Sequence, residues 1–169
     1  MTDNQRKLAA ILSADAVGYS RLMGDDEAAT VAALDGARAV FREVIAAHRG
    51  RVVDTAGDSV LAVFDSVVET VAGAAEIQDR LTEENAAVAE DRRMRFRIGI
   101  NLGDVIAKPD GTIYGDGVNI AARLESLAEP GGVTLSEDAY RQVRNKLDLA
   151  FEDIGEHAVK NISEPVRAY

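Results

Sequence analysis

The sequence predicts an α+β fold, a ferredoxin-like split β-α-β antiparallel sheet with helices packed on it and further elements after the core. Two observations predict it. Segments with strand-like and helical hydrophobic patterns follow one another as strand, helix, hairpin, helix and strand, which is the order of that motif. The chain has 169 residues, of which 47% are hydrophobic, enough to bury the core of one domain. We therefore expect a single domain over residues 1–169.

The first strand and helix follow from apolar patterning. Residues 7–17 are rich in apolar side chains and end at Gly18, as a buried strand does before a turn. Apolar residues then recur at intervals of three and four from a cap at Asp25 or Asp26 to His48, which predicts a long amphipathic helix.

A hairpin and a second helix complete the predicted core. Two short β-rich runs, 51–55 and 60–64, predict a hairpin whose tip carries Asp58. The helical period then returns over residues 66–85. The remaining predicted elements are a strand over 95–102 that turns at Gly103 and Asp104, a helix over 116–127, a strand over 132–135, a helix over 136–146, and strands near Ala150 and Val166.

Composition restricts the class of partner. The formal net charge is −10 and Lys and Arg form no long run, so nucleic acid is not an expected partner. An acidic protein binds a polyphosphate when divalent metal ions bridge its carboxylates to the ligand. The absence of cysteine excludes disulfides and thiolate metal sites. No apolar run approaches the roughly 20 residues of a membrane span, so we expect a cytoplasmic protein with no membrane segment.

Two acids are expected to meet at one edge of the predicted sheet. Asp15 lies near the end of the first strand and Asp58 at the hairpin tip, and the first and third strands of this topology are antiparallel neighbours. Such a pair can hold the two metal ions of a phosphoryl-transfer site, roughly 3.5 to 4 Å apart. For the pair alone, a turn-capping Asp15 and a solvated Asp58 remain the alternative.

Two further motifs carry groups suited to a phosphate ester. A short turn after Asp15 has backbone N–H groups that can cradle phosphates, although an ordinary strand-to-helix turn has the same pattern. It comprises Val17, Gly18, Tyr19 and Ser20. Asn119 and Arg123 lie four apart on one helical face, where they can hold a ribose and a transferring phosphate. The alternative is an exposed face with Arg123 paired to Glu125 or Glu129.

Together these elements resemble the class III adenylyl and guanylyl cyclases over nearly the whole chain. The motifs that carry the resemblance are SADAVGYS (13–20), TAGDSV (55–60), FRIGINLG (96–103) and YGDGVNIAAR (114–123). The resemblance implies a sheet of the nucleotidyl cyclase type. It also implies conversion of a nucleoside triphosphate, with ATP favoured over GTP, to a 3',5'-cyclic monophosphate and pyrophosphate in intracellular signalling.

The same resemblance implies roles for individual residues. Asp15 and Asp58 would bind two divalent metal ions, Mg²⁺ or Mn²⁺, with the Ala16 carbonyl as a further ligand. Asn119 and Arg123 would stabilise the transition state. In such enzymes the acids and the Asn/Arg pair come from different subunits of a head-to-tail dimer. Because this chain carries both sets, a homodimer with two equivalent interfacial sites is implied.

Three other positions bear on the nucleotide. Lys160 is similar to the triphosphate-binding lysine of the family's last motif, although Asn161 stands where many members have Gly. Asp54 and Thr112 occupy the base-reading positions. Thr112 is an accepted variant of the adenine-selecting pair, whereas Asp54 replaces the usual Lys and suits the N–H donors of guanine. A solvated Asp54 that does not reach the base is the alternative.

Two other functions are weighed against the cyclase. The charge reversal at Asp54 motivates a catalytically weak, cyclase-like module that dimerises or binds nucleotide in regulation. A diguanylate cyclase or polymerase-like palm would share the sheet and the paired acids, but it leaves the Asn119 and Arg123 element unexplained. A small basic run is interpreted as the solvated side of a strand and its approach; it comprises Arg92, Arg93, Arg95 and Arg97.

Overall fold

The computed structural model describes residues 5–157 and 166–169. Its strands are β1 (Gln5–Ala16), β2 (Arg51–Asp54), β3 (Ser59–Phe64), β4 (Phe96–Ala107), β5 (Ile113–Tyr114), β6 (Val133–Leu135), β7 (Gly155–His157) and β8 (Val166–Ala168). Its helices are α1 (Tyr19–Asp25), α2 (Glu27–Ala47), α3 (Val67–Asn85), α4 (Asp116–Leu127) and α5 (Glu137–Val143). In this part of the chain, no helix has both the length and the apolar character needed to cross a membrane.

The main sheet has the strand order of the ferredoxin-like motif. The order is β2-β3-β1-β4-β5, and β6 adds to β4 in parallel. The central strand β1 pairs antiparallel with both β3 and β4. Strands β7 and β8 form a separate two-stranded sheet. The predicted fold class is therefore confirmed.

The two long helices begin at the polar caps expected from the sequence. The side chain of Asp26 accepts a hydrogen bond from the Ala29 N–H at 3.1 Å, at the start of α2. Ser66 accepts one from the Glu69 N–H at 3.2 Å, at the start of α3. Each cap satisfies an N–H group that the first helical turn leaves without an internal partner.

Helices cover both faces of the main sheet, whereas the ferredoxin-like order of elements predicts helices on one face only. Side chains alternate between faces along a strand. Ala10 and Leu12 of β1 pack in the core that α2, α3 and α5 cover. Ala9 and Ile11 face the other way, into a second cluster that includes Ala121 of α4. Helix α4 therefore lies on the face opposite to α2 and α3.

The predicted turn at Gly103 and Asp104 is wrong, because β4 continues through both residues. They pair with the first half of β1, Gly103 opposite Ala9. A Cβ at Gly103 would lie 3.4 Å from the Cα of Gly117 in α4, so this glycine permits close packing rather than a turn. The chain instead reverses over residues 108–112.

Three smaller differences concern the ends of elements. The segment before α2 forms the separate helix α1, which the sequence pattern did not distinguish. Helix α5 ends at Val143, three residues before its predicted end. The strand predicted near Ala150 is wrong, since the corresponding strand is β7, over Gly155–His157, while the strand predicted near Val166 corresponds to β8.

Candidate active site

Strand pairing brings Asp15 and Asp58 together at one edge of the sheet. Asp15 pairs with Ser59 across β1 and β3, and Asp58 directly precedes Ser59 in the chain. Directly opposed residues of antiparallel strands have Cα atoms about 4.5 to 5.5 Å apart. Both acids are half-buried. Their carboxylates therefore share a partly desolvated region at the end of β1.

A third acid, Glu125 of α4, lies against this pair. Its side chain is buried, with 9% of its surface exposed, and it accepts a 2.9 Å hydrogen bond from Ser13 Oγ. Burial, together with a hydrogen bond to Asp15 and the charges of Asp15 and Asp58, raises the pKa of Glu125 to about 8. The bond from Ser13 acts in the opposite direction. Burial is the largest of these causes, and the neighbouring charges of Asp15 and Asp58 add to it.

The sequence pattern predicts Glu125 only as a partner for Arg123. A signal for its actual position was present, because Glu125 follows Ala121 by four residues and so lies on the buried face of α4. A carboxyl group on a buried helix face needs a polar partner. The pattern could have indicated that such a partner exists, but not that it is Ser13 and Asp15.

The donor set of this edge fits divalent cations of the Mg²⁺ or Mn²⁺ type. Carboxylate and carbonyl oxygens are the ligands that these ions prefer. The charge that raises the pKa of Glu125 is also charge that a bound cation would neutralise. Among the described residues, no group of three or more His, Cys, Asp or Glu side chains is arranged to hold an ion. Mg²⁺ in proteins usually keeps several water ligands beside one or two carboxylates.

The turn that follows β1 offers fewer N–H groups than expected. Gly18 has φ +67°, the left-handed conformation that glycine adopts without strain, and α1 begins at the next residue. The N–H of Val17 already donates to the Arg95 carbonyl at 2.8 Å, so it is not available to a phosphate. The N–H groups of Tyr19 and Ser20 belong to the first helical turn, which leaves them without intrahelical partners.

Helix α4 carries Glu125 on one side and the Asn119 and Arg123 pair on another. Glu125 lies on the face that packs on the sheet, whereas Asn119 and Arg123 are exposed and one turn apart. Arg123 Nη1 donates to Ser126 Oγ at 3.2 Å. Within one copy of the chain, the acids therefore meet the buried face of α4, and the Asn/Arg pair faces solvent.

The two positions predicted to read the base lie on segments that one hydrogen bond joins. Asp54 is the exposed last residue of β2, and Thr112 directly precedes β5. Arg51 Nη1 of β2 donates to the Gly111 carbonyl at 3.2 Å and so links the two segments. Hydrogen bonds from the hydroxyl and the backbone N–H of Thr112 hold the pKa of Asp110 below its usual value.

The interpretation of the basic run as a solvated strand face is wrong for Arg97 and Arg92. Arg97 pairs with Asp15 across β1 and β4, and its Nε is buried without a hydrogen-bond partner in the described part of the chain. Arg92 donates to Thr30 Oγ1 at 2.9 Å. Alternation with Ile98 could have assigned Arg97 to the same sheet face as Asp15. Lys160 lies outside the described residues.

Removing the charge of Glu125 is expected to stabilise the metal-free protein at alkaline pH. Its folded pKa of about 8 exceeds the ordinary value of 4.5, so the stability linked to its proton is present below pH 4.5 and is lost as pH rises through about 8. One pKa unit corresponds to about 1.4 kcal/mol. As the pH rises from about 5 to about 9, the free energy of unfolding of Glu125→Gln should therefore increase by a few kcal/mol relative to that of the wild type.

Urea unfolding in EDTA at the two pH values measures this difference in the free energy of unfolding. Glu129→Gln is the matched control, because Glu129 is exposed just beyond the end of α4. A wild-type protein and a Glu125→Gln variant whose stability difference does not change with pH would contradict the contact between Glu125 and Asp15.

Comparison with known proteins identifies the family of this chain. The model of the adenylate and guanylate cyclase catalytic domain family matches residues 1–169. The putative adenylate cyclase 3 of Rhizobium meliloti (strain 1021) is 45% identical over 166 residues, which cover 98% of this chain. The chain spans 28% of the length of that curated relative.

Solved structures give the same family. The crystal structure of an adenylate/guanylate cyclase/hydrolase from Silicibacter pomeroyi is 38% identical with a TM-score of 0.92, covering 98% of this chain and 96% of that one. The adenylyl cyclase CyaB from P. aeruginosa shares the fold at 24% identity and a TM-score of 0.86, covering 99% of this chain and 94% of that one. The chain therefore belongs to the adenylate and guanylate cyclase catalytic domain family.

Proposed function

We propose that this chain is a single catalytic domain that converts a nucleoside triphosphate, ATP in preference to GTP, to a 3',5'-cyclic monophosphate and pyrophosphate. The observation that carries the proposal is the strand pairing that brings Asp15 and Asp58 together beside the buried Glu125, whose pKa burial and the two neighbouring acids raise to about 8. An acidic edge of this kind suits a metal-bound triphosphate. The product would act as an intracellular signal, and the cytoplasm would supply the substrate.

Asp15, Asp58 and the Ala16 carbonyl would hold two divalent ions, Mg²⁺ or Mn²⁺. When bound there, such ions would lower the pKa of the ribose 3'-hydroxyl and neutralise charge on the departing pyrophosphate. The protein's own groups would bind and orient the nucleotide around them. The N–H groups of Tyr19 and Ser20 open α1 next to the acids, and Gly18 lets the backbone approach closely.

Cationic side chains would bind the phosphates. Arg97 lies opposite Asp15 in the sheet, and its buried Nε is a donor without a partner among the described residues. A phosphate oxygen is a strong acceptor for such a guanidinium. By the family resemblance, Lys160 would contact the triphosphate as well. The net effect would be to bring the α-phosphorus and the 3'-hydroxyl into line without a protein nucleophile.

A homodimer would complete each site. Asn119 and Arg123 are exposed, on the side of α4 turned away from the buried Glu125, where a second copy can reach them. There the amide of Asn119 would orient the ribose and the Arg123 guanidinium would neutralise charge that develops on the transferring phosphate. Because each copy would give its acids to one site and its Asn/Arg pair to the other, the dimer would have two equivalent sites at its interface.

The hydrogen bonding of Thr112 supports ATP as the preferred substrate. Its hydroxyl donates to Asp110, which leaves the oxygen as an acceptor. The exocyclic amine of adenine is a donor and suits that oxygen, whereas guanine presents the acceptor O6 at the corresponding position. Asp54 opposes this preference, because its carboxylate suits the N–H donors of guanine.

Replacing Asp54 by Lys is expected to shift the preference further toward ATP. A lysine can donate to adenine N1, and it meets an N–H group in guanine. One such contact discriminates between bases by about 1 to 3 kcal/mol, so the ratio of kcat/KM for ATP to that for GTP should rise about tenfold or more. Asp65→Lys is the matched control, because it makes the same charge change at an exposed residue directly after β3. Equal ratios in both variants and the wild type would remove Asp54 from base selection.

Product analysis tests the proposed function directly. The purified protein is incubated with ATP or GTP, each with Mg²⁺ or Mn²⁺, and cyclic nucleotide and pyrophosphate are measured. We expect cyclic AMP, with a smaller yield of cyclic GMP. A folded dimer that forms neither product would favour the second candidate, a catalytically weak regulatory module that dimerises or binds nucleotide, which the charge reversal at Asp54 motivates.

A further inference from the structure

Arg38 of α2 contacts the turn that carries Asp58. Its Nη2 donates a hydrogen bond to the Thr55 carbonyl at 3.0 Å. The same nitrogen donates to the Gly57 carbonyl. The Arg38 side chain therefore binds two carbonyl groups of the β2–β3 turn, and one of them belongs to Gly57, directly before Asp58.

The geometry of the turn carries this constraint to Asp58. The carbonyl of Ala56, between the two that Arg38 binds, accepts hydrogen bonds from the Ser59 N–H at 3.0 Å and from Ser59 Oγ at 2.6 Å. The peptide between Gly57 and Asp58 is planar. Fixing the Gly57 carbonyl therefore also fixes the direction of the Asp58 N–H and Cα, from which the carboxylate projects.

The position of Arg38 is itself well defined. Its neighbours Ala37 and Phe41 lie on the buried face of α2, with 4% and 1% of their surface exposed. The Nε of Arg38 is buried and has no hydrogen-bond partner within residues 5–157 and 166–169. The two turn carbonyls are thus the contacts through which this guanidinium acts.

We propose that Arg38 is a positioning residue for Asp58. By holding the carbonyls of Thr55 and Gly57, it sets the Asp58 carboxylate at the separation from Asp15 that a pair of divalent ions requires. The inference rests on the proposed function, because it takes Asp58 to be a metal ligand. Groups that orient a metal ligand contribute about 10- to 100-fold to metal affinity. Arg38 therefore acts on metal binding, without contact to the reacting atoms.

Manganese binding in the absence of turnover tests the proposal. The probe is Mn²⁺ with 3'-deoxy-ATP, which lacks the attacking hydroxyl, and electron paramagnetic resonance measures free Mn²⁺. Arg38→Ala and Arg38→Lys are compared with Arg42→Ala, which removes an exposed arginine one turn further along α2. We expect both Arg38 variants to bind Mn²⁺ about tenfold more weakly and the Arg42 variant to bind as the wild type does.

Turnover gives a second readout that a purely structural role would not change. The Mn²⁺ concentration for half-maximal cyclase activity should rise about tenfold in the Arg38 variants, while kcat at saturating Mn²⁺ stays within about threefold of the wild type. Circular dichroism and thermal unfolding in EDTA identify which variants are folded. Arg38→Lys keeps the charge and most of the stem but lacks the planar fork, so it serves if Arg38→Ala does not fold.

The outcomes separate this inference from the proposed function. Wild-type Mn²⁺ affinity in a folded Arg38 variant overturns the role of Arg38, even if that variant is less stable. A wild-type protein that binds Mn²⁺ with dependence on Arg38 but forms no cyclic nucleotide overturns the proposed function alone. A wild-type protein that binds no Mn²⁺ with the nucleotide analogue overturns both.

Discussion

Turnover in the Asp58→Asn variant is expected to fall at least about a thousandfold, with the fold intact. Asparagine has nearly the same size as aspartate, but it lacks the charge and one of the two oxygens. Loss of about 4 kcal/mol of transition-state stabilisation corresponds to this factor, and metal ions supply several kcal/mol of charge stabilisation in such reactions. The variant should be as stable as the wild type or more stable, because Asp58 adds to the charge that raises the pKa of Glu125.

Asp65→Asn is the matched control for this experiment. Asp58 and Asp65 flank β3 at its two ends, and Asp65 is exposed far along the strand from Asp15. The control should retain full kcat at saturating Mn²⁺. Activity of Asp58→Asn within about tenfold of the wild type would show that Asp58 is not a metal ligand that the reaction requires.

Mixing two inactive variants is expected to restore activity. In a heterodimer of Asp58→Asn and Arg123→Ala subunits, one site combines both defects, and the other combines the intact acids of one subunit with the intact Asn/Arg pair of its partner. A 1:1 mixture contains half heterodimers at random exchange, so it should recover about a quarter of wild-type activity. Each variant alone should be at least about a hundredfold below the wild type, because the proposed role of Arg123 is to stabilise developing charge.

The control for subunit mixing is a pair of variants with defects in the same half-site. Asp15→Asn mixed with Asp58→Asn leaves each site of the heterodimer with a defective acid pair, so no activity should return. Cyclic nucleotide formation is measured after overnight exchange of the subunits. If the Asp58 and Arg123 variants show no recovery although the subunits exchange, the acids and the Asn/Arg pair belong to the same copy.

Where residues that begin or end a helix flank a segment, the sequence predicts the bounds of that helix to the residue. The fourth helix was predicted over residues 116–127 and runs from Asp116 to Leu127. Gly115 precedes it, and Pro130 follows shortly after its end, where proline disfavours a helical residue before it. The nearness of Asp15 and Asp58 could likewise be predicted, because a hairpin and one antiparallel neighbour fix the register of both.

Contacts between distant segments could not be predicted in this way. Ser13 and Glu125 are 112 positions apart in the chain, and no periodic pattern connects them. The continuation of β4 through Gly103 could not be predicted either. Glycine is typical of turns, and it is also typical of places where a helix approaches a strand closely. Local sequence does not distinguish these uses; only the packing of α4 on the sheet does.

Gly99 bears on how freely the acids and the Asn/Arg pair of one copy can move relative to each other. A Cβ at this position would overlap the Ala121 carbonyl oxygen and the Glu125 nitrogen of α4, so helix and strand touch backbone to backbone. No layer of adjustable side chains separates them at this point. We therefore expect the acids on the sheet and the Asn/Arg pair on α4 of the same copy to move together. Opening and closing around a nucleotide would then be a change in how two copies sit against each other, with each copy keeping its internal shape.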